Sequence, residues 1–337
     1  MGECLIARGQ TATKNVLNDI PVSGDYCSIV VLLQDSAGGP CENTKINCKD
    51  GTRWYNYTTN EAGMVLFKCN SGAANISANN WINGVYTFDQ AAVSKDYDAP
   101  VGTKKLENLV FPKINNFSRL DSGWYNGWFR GTNRIKNLIV VGGGGGGGMG
   151  NASSSRSMGC GGGGGGLSYA NYVDINTNQN YSIYVGAGGR CSYGNSYGNT
   201  GETSMAFGIS ANGGTGGGGV NLSWISTQSN YGIGGLAMCN GGNGSGHLNF
   251  NANDGENGAG GGGGAARFQD PTWKTCYGGN NGGGYGSINN ENGFYFNGTA
   301  GLRGSGGGGG GTGGANGGLY PNPKGSGGSG RVTFEMV

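Results

Sequence analysis

Seven consecutive glycines, Gly142–Gly148, follow directly on the apolar, β-branched stretch Leu138-Ile139-Val140-Val141. Glycine has no side chain to bury and loses the most freedom on ordering, so an isolated run is ordinarily a linker. Here the run recurs, at Gly161–Gly166, Gly216–Gly219, Gly260–Gly264, Gly282–Gly284 and Gly306–Gly311. Strand-like segments lead straight into several of these runs. Only 13 of the 79 glycines precede residue 142. The remainder is about a third glycine, the collagen proportion. No G-X-Y period exists and the chain has 7 prolines, which excludes collagen.

Ordered polyglycine adopts a left-handed helix of three residues per turn, rising ~3.1 Å per residue without internal hydrogen bonds. A run of seven then spans roughly 20 Å. Its N–H and C=O groups point outward, so burial requires partners on neighbouring strands. Cα–H···O contacts add small contributions, and only glycine permits so close an approach. Ordering costs of order 1–2 kcal/mol per residue, so the gain must be cooperative, with many runs and with β-strands as walls. The expected fold is therefore all-β plus a polyglycine-II helix bundle. Its scaffold positions are Gly142, Gly145, Gly148, Gly161, Gly166, Gly261, Gly264, Gly306 and Gly311. Flexible loops are the alternative, and they leave unexplained why strands run into the glycines.

The chain divides into four parts. Residues 1–21 mix short apolar and polar pieces and read as an attachment segment. Residues 22–90 read as a β-sandwich, because strand patterns alternate with turn signals every 8–12 residues. Its strands are Ser28–Leu33, Thr44–Cys48, Trp54–Thr58, Met64–Cys69 and Ala74–Ala78, with turns at Asp35–Pro40, Asp50-Gly51 and Thr59–Gly63. Residues 91–112 read as a connector with one strand at Leu106–Phe111. Residues 113–337 form the glycine-rich domain. Within it Tyr169–Val185 reads as two strands around Asn176–Asn180, and Arg331–Val337 as a closing strand that pairs with Lys136–Val141.

Charge and motifs exclude several functions. Net charge is +2 and charged residues are 12 %, about half the usual ~25 %, which disfavours a nucleic-acid binder. The longest apolar run, Ile29–Leu33, is far too short to insert in a membrane. The N-terminus shows no apolar signal segment, which predicts synthesis in the cytoplasm. None of the nine cysteines forms a CxxC pair. That pattern fits free thiols in a reducing compartment, with a Cys41–Cys48 bridge as the alternative. His247 is the one histidine, no phosphate-binding G-x-x-x-x-G-K-[ST] occurs, and Asp254, Glu256 and Asp270 have no spacing that argues for a carboxylate pair. No catalytic residue, metal ligand or cofactor is assigned, and the expectation is a non-enzyme.

Two resemblances follow from these residues. The order of strand, Asp35-x-x-Gly38-Gly39-Pro40 turn, strand and aromatic strand ending Thr58-Thr59-Asn60-Glu61-Ala62-Gly63 resembles carboxypeptidase-regulatory, transthyretin-like modules. That implies a spacer or interaction domain. Leu138–Gly148, Tyr181–Gly189, the later glycine blocks and the terminal Gly327–Phe334 resemble the glycine-rich domain of phage tail proteins. They are similar in layout to the polyglycine-sandwich adhesins of T-even-type tail fibres, and more distantly to the glycine-rich domain of the anaplastic lymphoma kinase receptor.

The second resemblance implies a virion protein, a tail-fibre or tail-tip adhesin that binds a bacterial surface receptor, either a polysaccharide or a surface protein. Other virion proteins would then be held through the N-terminal region, with a homotrimer as one compatible assembly. A purely structural capsid fibre or decoration protein is the alternative. Receptor contact falls to the aromatic residues between runs: Tyr193, Tyr197, Trp224, Tyr231, Phe250, Phe268, Trp273, Phe294, Tyr295, Phe296 and Tyr320. Tyr and Trp with Ser, Gly and Asn are the composition of a paratope.

Overall fold

The run Ser28–Leu33 is too apolar for an edge strand, and the structure makes it the middle strand of a sheet. A computed structural model describes residues 20, 22–148, 157–177, 179–191, 197–221, 231–244, 252–263, 266–269, 272–275, 278–284, 301–302, 304–308 and 325–337. The first unit holds β1 (Cys27–Gln34), β2 (Lys45–Asp50), β3 (Arg53–Thr58), β4 (Met64–Cys69) and β5 (Gly72–Ala78). It continues with β6 (Trp81–Ile82), β7 (Val85–Tyr86), β8 (Val93–Ala99) and β9 (Lys104–Val110). One sheet has the order β4-β1-β9 and the other β3-β2-β5-β8. Ile29, Leu33, Ile46, Ile76, Phe67 and Phe111 fill the space between them.

The sequence reading ends this sandwich at residue 90, whereas the structure carries it through Val110. β8 pairs with β5, and β9 lies parallel to β1. The segment Val93–Ala99 fully buries only Tyr97 and Ala99 and exposes Ser94, Lys95, Asp96 and Asp98, so its strand pattern is faint in sequence. The Thr58–Gly63 signature proves to be a packing device. Thr59 Oγ1 accepts from the Thr44 N–H at 2.9 Å, and Asn60 Oδ1 accepts from the Ala62 and Met64 N–H groups at 3.1 and 2.9 Å. Gly63 takes a positive φ of 72°, with the Leu33 carbonyl oxygen 2.7 Å from where a Cβ would stand.

Cys27, Cys41, Cys48 and Cys69 are buried in this core without a disulfide. Burial pushes the Cys41 and Cys48 thiols up to about 12, with Asp35 adding to the effect at Cys41. At pH 8 their thiolate fraction is then about 10⁻⁴. Iodoacetamide is expected to label neither residue in the native chain and both in urea, as read by peptide mass spectrometry.

A buried carboxylate joins the first unit to the second. Asp89 is fully buried and accepts from the backbone N–H groups of Arg130, Gly131 and Thr132, the last two at 2.8 and 3.0 Å. The Arg130 guanidinium reaches back to Asp35 at 3.3 Å and to the Pro40 carbonyl at 3.2 Å. Phe88 crosses over entirely and packs in the core of the second unit. Asp89→Ala strips three N–H groups of their acceptor, so a loss of about 2–4 kcal/mol is expected in denaturant melts.

The second unit begins as another sandwich. Its strands are β10 (Asn116–Arg119), β11 (Gly123–Gly127), β12 (Arg134–Val141), β13 (Ser157–Gly159), β14 (Leu167–Asp174) and β15 (Tyr181–Val185). They are followed by β16 (Ser204–Ala206), β17 (Ile209–Ala211), β18 (Gly219–Asn221), β19 (Ala266–Gln269), β20 (Thr272–Thr275) and β21 (Arg331–Met336). Sheets β10-β21-β12-β14 and β11-β15-β16-β17 enclose Phe117, Phe129, Ile135, Leu138, Ile183 and Phe334. The closing strand β21 pairs with β12, as its pattern predicts, and the structure makes the pairing antiparallel. The two strands in Tyr169–Val185 enter opposite sheets rather than pairing with each other. In the aromatic stretch 123–129, Phe129 is buried, while Trp124 is exposed and lies against Tyr184 with ring centroids 4.7 Å apart.

Beyond the strands the sandwich continues as glycine. β12 runs into 142–148, β15 into 186–190 and β17 into 212–218; 160–166 leads into β14 and 325–330 into β21. Residues 142–148 are buried throughout, although they contribute no side chain. Their hydrogen bonds repeat every third residue. Gly142, Gly145 and Gly148 donate to Gly166, Gly163 and Cys160 at 2.8–2.9 Å. Gly143 and Gly146 donate to Glu202 and Asn199, and Gly144 and Gly147 to Gly328 and Gly325. In return Gly143 and Gly146 accept from Gly214 and Gly217, and Gly144 accepts from Gly189. With Gly306 and Gly307 also in contact, the run is ringed by six segments of backbone.

Candidate functional site

The direction of each glycine segment follows from its register. Segments 186–190 and 212–218 run parallel to 142–148, while 160–166, 199–202 and 325–328 run against it. Around 160–166, segment 232–235 runs parallel, whereas 241–244, 260–263 and 306–308 run opposite. Every segment heading the same way as 142–148 is followed by an insert: 149–156, 192–196, 222–230, 245–251, 264–277 and 309–324. Insert 285–300 follows Gly284, whose N–H donates to Gly308 at the same level. All seven inserts are therefore flanked by residues at one end of the bundle, the Gly148–Cys160 end.

The joint with the first unit lies at the other end. Arg130–Thr132 immediately precede β12, and β12 plus 142–148 form one continuous path from joint to inserts. Eight strand residues and seven glycines make that path roughly 45 Å long.

The candidate aromatics sort accordingly. Tyr197 closes the 192–196 insert and is exposed at 60 %; Tyr231 closes 222–230 and is half-buried. Phe268 and Trp273 stand directly opposite each other in the antiparallel hairpin β19–β20. Tyr193, Trp224, Phe250, Phe294, Tyr295, Phe296 and Tyr320 lie in the inserts but outside the described residues. Of the scaffold glycines, Gly142, Gly145, Gly148, Gly161, Gly166 and Gly261 sit in the lattice, and Gly306 takes a positive φ of 67° where the chain turns back into it. Gly264 and Gly311 lie outside the described residues.

Charge is sparse at this scaffold and works at its base. Glu202 accepts from the Tyr184 hydroxyl and from the Ala187 N–H, which together hold its carboxyl below the usual range; the same bond raises the Tyr184 hydroxyl. A lowered carboxyl stabilises the fold above the ordinary carboxylate range and loses that contribution as pH falls through its folded value. Among the described residues no group of three His, Cys, Asp or Glu side chains is set to hold a metal. No helix among them is long and apolar enough to cross a membrane.

These features define a class: an all-β protein whose strand sandwich continues into a backbone-only glycine bundle that gathers long inserts at one end. The family model of the glycine-rich domain matches residues 123–337, well over half of the chain, and the protein belongs to that family. No curated protein is similar enough to this chain to count as a match. The family boundary at 123 falls inside the physical unit, since β10 at 116–119 already pairs with β21.

Proposed function

We propose that the protein is a phage virion component, a tail-fibre or tail-tip adhesin whose inserts bind the bacterial surface. One observation carries this reading: the seven inserts are flanked from a single end of the bundle, away from the joint to the first unit. Binding residues concentrate on loops held by a rigid scaffold. Tyr and Trp supply large rigid contacts, and Ser, Gly and Asn supply adaptable ones, which suits a polysaccharide or a surface protein as receptor. The three-residue period of the hydrogen bonds supports reading the runs as polyglycine-II helices. The first sandwich, at the opposite end, suits a transthyretin-like spacer that connects to other virion proteins. The role requires no catalytic group.

Flow cytometry of the fluorescently labelled full chain against a panel of bacterial strains tests the reading. Saturable binding to some strains and not to others is expected. Absence of saturable binding to every strain would overturn the adhesin role and favour a structural fibre or decoration protein.

A further inference from the structure

The outward face of sheet β3-β2-β5-β8 is polar nearly throughout. Asn56, Asn47, Ser77 and Ser94 form one row across it, and Trp54, Lys49, Asn75 and Asp96 the next. Beside β6 this face dips into a depression of about 420 Å³ lined by Asn43, Lys45, Asn47, Thr58, Asn79 and Trp81. Trp81 is 55 % exposed there, a large apolar surface left in water.

Its position is held from several sides. Asn83 and Gly84 carry positive φ of 50° and 74°, the requirement of a tight type I′ turn between β6 and β7. Ile82, the next residue along β6, is fully buried and anchors the hairpin. Asn43 Nδ2 donates to Asn83 Oδ1 at 2.9 Å. The indole packs edge-on to Tyr86 with centroids 6.0 Å apart, and the Tyr86 hydroxyl accepts from Arg119 at 2.9 Å. A rigid exposed ring beside the Asn47 and Asn79 amides is a pre-organised surface.

The chemistry selects a sugar. An indole face stacks on the C–H face of a pyranose, and amides with a hydroxyl supply the mixed donors and acceptors that ring hydroxyls need. Lys45 is the one charged side chain of the lining, and it favours an acidic substituent. We propose that this depression binds a saccharide whose pyranose carries a carboxylate, with the ring on Trp81 and the acid on Lys45. Trp54 lies four residues along β3 from Thr58, roughly 13 Å away, and offers a second platform to a longer glycan. Binding here is independent of the role given to the inserts.

Affinity electrophoresis of the full chain tests it, in gels holding polygalacturonate, hyaluronate or polysialic acid, with dextran as the neutral comparison. Retardation by at least one acidic polymer and none by dextran is expected. Trp81→Ala and Lys45→Gln should each weaken it by about tenfold, while Trp124→Ala, an exposed aromatic of the other unit, should not. Both changes lie at exposed positions, and an unchanged thermal melt shows that they spare the fold. Three results would overturn the site: no retardation by any acidic polymer, equal retardation by dextran, or retardation that survives Trp81→Ala. A concentration-dependent dimer abolished by Trp81→Ala would also overturn it, by making a second copy the occupant. Strain binding that persists in Trp81→Ala leaves the adhesin reading standing whatever the gels show.

Discussion

Gly145→Val will abolish cooperative folding of the glycine bundle. A Cβ at this position would overlap the carbonyl of Thr215 and stand 2.8 Å from the carbonyl oxygen of Gly214. Neither can move aside. The Thr215 N–H donates to Ile233, and its carbonyl accepts from Gly163, each at 2.9 Å. Gly163 in turn accepts from Gly145 itself at 2.8 Å, so displacing one strand breaks bonds in three. Even Gly145→Ala is expected to cost more than about 4 kcal/mol, the range reserved for core disruption. Gly131→Ala is the control: its nearest new neighbours, the Ala37 Cβ and Ser36 Oγ, stand at an ordinary 3.5 Å. That variant should stay within about 0.5 kcal/mol of the parent. Thermal unfolding followed by amide exchange distinguishes the two. The first sandwich has its own core and should retain its protection in Gly145→Val. Wild-type melting of Gly145→Val would rule out a packed bundle.

The second large effect concerns adhesion rather than stability. Phe268 and Trp273 are register partners in the β19–β20 hairpin, which lies within the 264–277 insert. Under the proposed adhesin role, two aromatic residues paired in an insert of a rigid scaffold fit the pattern of a binding hot spot, where single truncations cost about 2–4 kcal/mol. The double variant Phe268→Ser, Trp273→Ser is expected to reduce strain binding at least about 100-fold. Its melt should match the parent, because the lattice draws its bonds from other residues. Undiminished binding with an intact melt would remove this hairpin from the proposed adhesive surface.

Much of the fold is legible in the residues themselves. Leu138–Val141 before seven glycines announces a strand that enters a run, and the alternation of Arg331–Met336 announces its partner. The turn chemistry of 35–63 marks out the first sandwich. Less legible are features set by long-range register. The parallel pairing of β9 with β1 joins segments more than 70 residues apart, and β8 has too few apolar positions to stand out. A run of identical glycines carries no register of its own, so the strands at its base must supply it. The common end of the inserts is therefore invisible until those strands are aligned. The Trp81 depression has a local signal that sequence reasoning passed over: Asn83-Gly84 between two short apolar pairs marks a hairpin with an exposed ring at its start.

The lattice also governs how such a protein can evolve. Each run presents a new neighbour at every residue and returns to the same one after three. Losing one glycine shifts every later residue onto the next neighbour of the three-residue repeat and mismatches the surrounding partners, whereas losing three shortens the run and keeps its partners aligned. The inserts obey no such arithmetic, since they begin and end where the lattice stops. Length and sequence are free to vary there, whereas the interior tolerates changes of length only in multiples of three.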